Sequence, residues 1–240
     1  MWKFLFWFSF FIVFYSYIGY GLLIYFLVRM KRVFSKKQAP GFMPDFEPEV
    51  SLIISAYNEE DFIEKKIQNS LELDYPAEKL NLLMITDGSN DKTTDIIRNY
   101  PQIQLLHQSE RRGKVAAMNR AMKHVRTPYV IFSDANTLLN QACVKEMMKH
   151  YANPKVGGVA GEKKVLSGNQ GETAGAGEGL YWKYESLLKK LDSEFYTVVG
   201  AAGELFSVKT ALFHEEAENT IIEDFVQSLQ ICKEGYLISY

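Results

Sequence analysis

Residues 82–91, LLMITDGSND, run an apolar stretch straight into an acid, a glycine and a cluster of turn formers. Burying the Asp87 carboxylate costs several kcal/mol unless something compensates it, so the position implies either a surface turn or a ligand. The surrounding rhythm decides the fold. VSLIISAY (50–57), NLLMITD (81–87), IQLLH (103–107) and YVIFSDA (129–135) are short, strongly apolar and bounded by turn residues. Helical patterns fill the gaps over 59–71, 91–100 and 114–125. Strands apolar on both faces that alternate with helices predict an α/β domain built on a parallel sheet with helices on both faces.

Past residue 150 the pattern loosens. VGGVAG (156–161) reads as a strand, SGNQGETAGAGEG (167–179) as a polar loop, and EGLYWKYESLLKKLD (178–192) as an amphipathic helix. TVVGAAGELFSVK (197–209) reads as a strand or bent loop, NTIIEDFVQSLQICKEG (219–235) as a helix with a glycine stop, and YLISY (236–240) as a strand. An ending on a strand without turn or tail predicts a chain cut short.

The N-terminus departs from a soluble pattern. From Phe4 to Val28 no residue is charged, and about 37 Å of helix at ~1.5 Å per residue spans a bilayer with some tilt. The run ends in RMKRVFSKK (29–37), with five basic residues, where a signal peptide would carry a small-residue cleavage site. The positive-inside tendency then predicts the N-terminus outside and the remainder in the cytoplasm. The expected organisation is a membrane anchor (1–30), a basic juxtamembrane segment and proline-containing linker (31–49), and a catalytic domain (50–240).

With 47% hydrophobic residues among 240, the chain can bury a full core, and its net charge of −2 gives no electrostatic case for nucleic acid. Cys143 and Cys232 lie far apart, which implies neither a disulfide framework nor a zinc site. The four histidines are scattered and read as structural.

In open parallel sheets ligands bind beyond the carboxyl ends of the strands. Tyr57, Asn58 and Glu59 follow the first strand, Asp87 the second, and Asp134 and Asn136 the fourth. Turn chemistry explains one such ending; three at one edge point to a ligand. No GxGxxG follows the first strand, and RRGKV (111–115) lacks the flanking residues of a P-loop. Acids without those loops suggest phosphates bridged through a divalent metal, with Asp134 and Asn136 as oxygen ligands. Arg111, Arg112 and Lys114 read equally as phosphate partners or as a solvated loop.

Six pieces then assemble in order: SAYNEE (55–60), DYPAEKLNLLMITDGSNDKT (74–93), ERRGKVAAMNRAM (110–122), YVIFSDANT (129–137), VVGAAGELFSVK (198–209) and IIEDF (221–225). Their order and spacing resemble the family 2 glycosyltransferases of GT-A fold, above all the membrane-bound synthases of poly-N-acetylglucosamine, hyaluronan and cellulose. The resemblance implies that Ala56, Tyr57 and Glu59 cradle a nucleoside, that Asp87 contacts the uracil, and that Lys114 lies near base or phosphates. It places Asp134 at the metal position of an Asp-x-Asp motif and Glu223-Asp224 at the acidic pair that supplies the general base. It further implies a UDP-sugar donor, Mg or Mn, and inverting transfer to a growing polysaccharide, with Asp224 taking the acceptor proton.

Two departures stand out. Asn136 replaces the second acid of Asp-x-Asp, and the sequence stops before any Gln-x-x-Arg-Trp motif. Two other functions fit the same residues: a single-sugar transferase to a polyprenyl phosphate or other lipid, and a non-catalytic binder of nucleotide sugars. Bland readings compete locally as well. Thr220 and Glu223 have capping-box spacing, Asp91 suits a helix N-cap, and Trp182 suits either an acceptor groove or plain packing.

Overall fold

The computed structural model describes residues 1–34, 46–164, 173–201 and 203–240. The linker expected over 38–49 therefore lies largely outside the described residues, as does the first part of the polar loop at 167–179.

The described residues divide into two compact units. The larger holds a seven-stranded sheet: β1 (Val50–Ala56), β2 (Leu80–Asp87), β3 (Gln104–Gln108), β4 (Tyr129–Asp134), β5 (Val156–Ala160), β6 (Leu205–Lys209) and β7 (Leu237–Ser239). Their spatial order is β3-β2-β1-β4-β6-β5-β7. The first four strands are parallel, as the alternation with helices requires, and β5 pairs parallel with β7. β6 enters antiparallel to both β4 and β5, which makes the sheet mixed. Nothing in LFSVK encodes that direction, because Phe206 and Val208 are as buried as the residues of a parallel strand.

Helices follow the apolar periodicity. In the smaller unit, α1 (Trp2–Phe14) runs through a single wider turn at Tyr15–Gly19 into α2 (Tyr20–Phe34). Together they form one 33-residue helix long and apolar enough to cross a membrane. In the larger unit, α3 (Ile63–Leu71), α4 (Thr93–Arg98), α5 (Lys114–Met122) and α6 (Cys143–His150) punctuate the strands. α3 starts later than the expected 59–71 because residues 59–62 form a turn, with the Ile63 N–H bonded to the Glu59 carbonyl. α6 was not anticipated, although its buried Cys143, Val144, Met147 and Met148 have helical spacing. Leu52, Ile54, Met84 and Ile131 of the sheet pack with Ile63, Ile67, Ile97 and Met148 of three of these helices in one core.

α7 (Thr173–Phe195) belongs to the smaller unit and begins inside the stretch read as a loop. Leu191 packs with Ile24 and Val28 of α2, the Tyr20 hydroxyl donates to Asp192 Oδ1 at 2.5 Å, and Arg32 makes two 2.6 Å bonds to Glu194. These contacts pair α7 with the foot of the N-terminal helix.

The last helix, α8 (Glu223–Lys233), lies against β5 and β7. It comes that close because β5 presents Gly157. A Cβ there would stand 2.6 Å from Ile231 Cγ2, 2.8 Å from Tyr236 Cβ and 2.9 Å from Leu212 Cδ1. Gly157→Val therefore has to push α8 outward; we expect urea unfolding to show a loss of about 1–3 kcal/mol, the usual cost of overpacking.

Candidate active site

The parallel register places the ends of β1, β2 and β4 at one edge: Ser55 pairs with Asp134 and Ala56 with Thr86. The loop after β1 and the loop after β2 are knitted to each other. Asn58, in the left-handed region at φ 52°, donates its Nδ2 to Asn90 Oδ1 at 2.8 Å and accepts the Asn90 backbone N–H on its Oδ1 at 3.0 Å. The Glu59 N–H donates to Thr93 Oγ1, and the Glu60 N–H donates to Asp91 Oδ2. Asp91 also accepts the Thr93 N–H, so it organises the entry to α4 one step ahead of the N-cap, which is Lys92.

Asp87 is buried, and the chain itself compensates its charge. Oδ2 accepts the backbone N–H groups of Arg112 and Gly113, both at 2.7 Å, and Oδ1 faces Arg120 Nη1 at 3.3 Å. Gly88, at φ 72°, allows this fold-over: a Cβ there would stand 2.6–2.8 Å from the backbone and Cβ of Arg111. The chain thus compensates Asp87 from within. Arg120 was missed in the sequence, where the available signal was an arginine six residues into a helix otherwise buried through Val115, Ala117, Met118 and Ala121. Beside it opens a cavity of about 310 Å3 lined by Gln108, Arg112, Asn119 and Arg120. On the other side of the loop the Arg111 guanidinium lies over the half-exposed Tyr57 ring, 3.7 Å from its centre, a cation–π pair.

The Lys114 ammonium gathers the remaining acids. It meets Asp134 Oδ1 at 2.9 Å and Glu223 Oε1 at 2.8 Å, and donates to the Gly203 carbonyl at 3.2 Å. Burial alone would lower its pKa, but Asp134 and Glu223 outweigh this and hold it above the ordinary lysine value. Glu223 and Asp224 occupy the first turn of α8, where the helix dipole favours negative charge. The Thr220–Glu223 capping box does not form: Ile222 is the N-cap residue without a side-chain bond, and Glu223 goes to Lys114. A charge-assisted bond in a half-buried place outcompetes a cap.

Asp224 is buried beside Gly203, whose Cβ position lies 3.7 Å from its carboxyl carbon. Burial raises its pKa and the charge of Glu223 adds to this, against the pull of the Phe225 N–H and Lys114. Glu59 is raised too, by burial and then by Asp134 and Asp91. The structure therefore brings Lys114, Asp134, Glu223 and Asp224 together, with Ala56 and Glu59 at the same edge. Asn136 is exposed and takes no part in the Lys114 cluster. Among the described residues no three histidine, cysteine or acidic side chains gather as a metal site.

A family model described as glycosyl transferase family 2 matches residues 51–215, which include Asp87, Lys114 and Asp134 and end before α8. The chain belongs to that family. The poly-β-1,6-N-acetyl-D-glucosamine synthase of Staphylococcus aureus is 28% identical over 229 residues, which cover 90% of this chain and 54% of the relative. The chain thus spans about half the length of the curated relatives it matches. A mannosyltransferase from Pyrobaculum calidifontis, solved with GDP-Man and Mn2+, superposes with a TM-score of 0.75 at 26% identity over 94% of this chain and 63% of that one. Staphylococcus aureus TarS 1–349 with UDP-GlcNAc superposes with a TM-score of 0.59 at 17% identity, covering 80% of this chain and 55% of that one, and shares the fold. The GT-A expectation is met by these neighbours, which are GT-A glycosyltransferases.

Because this family 2 domain satisfies Asp87 internally, the residue has a stability role in the absence of any nucleotide. Asp87→Ala leaves two N–H groups without their acceptor and takes the carboxylate away from Arg120, which keeps only the Gln108 amide oxygen and the Thr86 carbonyl, and we expect urea unfolding of the ligand-free protein to show a loss of about 3 kcal/mol.

Proposed function

We propose that this chain is the nucleotide-sugar-binding and catalytic part of a membrane-anchored, inverting glycosyltransferase that extends a polysaccharide. The observation that carries this reading is the Lys114 ammonium held between Asp134 and Glu223 beside Asp224. It marks a place for positive charge at the sheet edge where a donor's diphosphate has to lie. The relatives support the reading: one is a synthase of poly-N-acetylglucosamine, and one neighbour was solved with a nucleotide sugar and Mn2+.

In this reading Ala56, Tyr57 and Glu59 flank the nucleoside, and Asp87 holds the Arg112–Gly113 backbone against it as well as meeting the base. Lys114 turns from the two acids toward the phosphates. Asp134 and the exposed amide of Asn136 supply hard oxygen donors, a set too small for a resident ion but suited to a Mg or Mn that arrives on the donor's phosphates. Such a cation would stabilise the leaving diphosphate. Asp224, released from part of the positive field of Lys114, takes the proton of the acceptor hydroxyl as that oxygen attacks the anomeric carbon. Glu223 keeps the cation side of the pair.

In this reading the apolar Trp2–Phe34 helix is the membrane span, and the basic residues after Val28 favour a cytoplasmic catalytic portion with the N-terminus outside. A glycan end is the proposed acceptor.

The test is release of nucleoside diphosphate in detergent across UDP-N-acetylglucosamine, UDP-glucose, UDP-glucuronate and GDP-mannose, with Mg or Mn. One donor turns over, and Asp224→Asn lowers that rate by about 10²–10⁴-fold while donor binding persists. Equal turnover in the variant would refute the assigned base. The pH dependence carries a sign as well. The raised pKa of Asp224 moves the acid limb of the rate profile above the ordinary carboxylate range. Its charged form opposes folding, so Asp224→Asn raises the melting temperature at neutral pH, and the gain shrinks as pH falls and the native Asp224 takes up its proton.

A further inference from the structure

Among the described residues Lys66 is the charged side chain with no exposed surface at all. It sits on the core face of α3 with Ile63, Ile67 and Ser70, where helical spacing calls for an apolar residue. No carboxylate among the described residues lies at ion-pair distance from it. An ammonium buried without a carboxylate partner weakens a fold relative to an apolar side chain of the same size, so stability does not account for it.

Its hydrogen bonds do. Nζ donates to Ser133 Oγ at 2.8 Å and to the Thr137 carbonyl at 2.5 Å. One turn further along α3, Asn69 Nδ2 donates to the Leu139 carbonyl and Asn69 Oδ1 accepts the Leu139 N–H, both at 2.8 Å. These four bonds grip both ends of the segment from Ser133 to Leu139, which carries Asp134 and Asn136. Inside that span, beyond the β4 pairing at Ser133 and Asp134, the described backbone is tied by the Asp134 N–H to the Glu204 carbonyl at 3.3 Å, the Ala135 N–H to the Ser55 carbonyl at 3.1 Å and the Thr137 N–H to the Asp134 carbonyl at 3.3 Å. Burial pulls the pKa of the Lys66 ammonium down to about 8, with Cys143 and Asp134 working the other way.

We propose that Lys66 is a positioning residue for the donor site: with Asn69 it fixes the 133–139 segment from below, so that Asp134 and Asn136 face the cation carried on the donor's phosphates. The proposal rests on the function proposed above. It requires no contact between Lys66 and any ligand.

The experiment titrates UDP and GDP onto the full chain, once with Mn2+ and once with EDTA, and follows amide hydrogen exchange of residues 134–139 in the ligand-free protein. Lys66→Met keeps the stem and removes the donors. It lowers the Mn2+-dependent nucleotide affinity by about 10- to 100-fold, the usual cost of losing a partner behind a metal ligand, and leaves the affinity in EDTA unchanged. Exchange speeds up locally at 134–139, and the melting temperature stays level or rises. Ser133→Ala, which removes one acceptor and keeps the lysine, gives a smaller loss in the same direction. Unchanged Mn2+-dependent affinity and unchanged local exchange in Lys66→Met would overturn the proposal, as would a general loss of stability with exchange raised throughout. A native chain that binds neither nucleotide would overturn the donor-site reading instead, and local exchange would still decide whether Lys66 holds the segment.

Discussion

The Lys114 ammonium, shared by Asp134 and Glu223, is the constraint on which the site depends. It joins the first residue of α5, the last residue of β4 and the first residue of α8, three elements distant in sequence. Without a cation at that point, Asp134, Glu223 and the buried Asp224 would repel one another in a partly desolvated place, where Coulomb interactions are weakly screened. One positive charge therefore permits three acids to converge. The same arrangement defines what can replace Lys114: something cationic that also binds phosphate oxygens.

The surrounding structure supplies the rigidity that such a cluster needs. Gly157 brings α8 down onto β5 and so sets where Glu223 and Asp224 stand. Asp87 draws the Arg112–Gly113 backbone inward and thereby fixes the start of α5, where Lys114 follows directly. α3 grips the segment after β4 through Lys66 and Asn69. Lys66 trades stability for position, because it buries a charge where an apolar residue would pack better, whereas Gly157 and Asp87 serve position and stability together.

Much of this was legible in the sequence. Apolar runs bounded by turn residues gave β1–β4 and their parallel order, since a buried strand and a helix differ in length and punctuation. Asp87 and Asp134 stood out because several polar strand endings share one edge, whereas Lys114 and the Glu223-Asp224 pair were singled out through the family resemblance. Other features depend on tertiary contact and leave no local trace. The antiparallel direction of β6 follows from a crossover, not from LFSVK. Lys66 reads as an ordinary lysine until Ser133 and Thr137 are seen above it, and Arg120 until Asp87 is seen beside it. The capping-box spacing of Thr220 and Glu223 misled, because local spacing is blind to a lysine more than a hundred residues away.

In the function proposed here, the place held by Lys114 in the ligand-free chain is the place of the donor's diphosphate. A crystal structure with UDP and Mn2+ decides this. We expect Asp134 and the phosphates to share the metal, and Lys114 Nζ to have left Asp134 for a phosphate oxygen. An intact Lys114–Asp134 pair, with the nucleotide seated instead in the cavity lined by Gln108, Asn119 and Arg120, would contradict it.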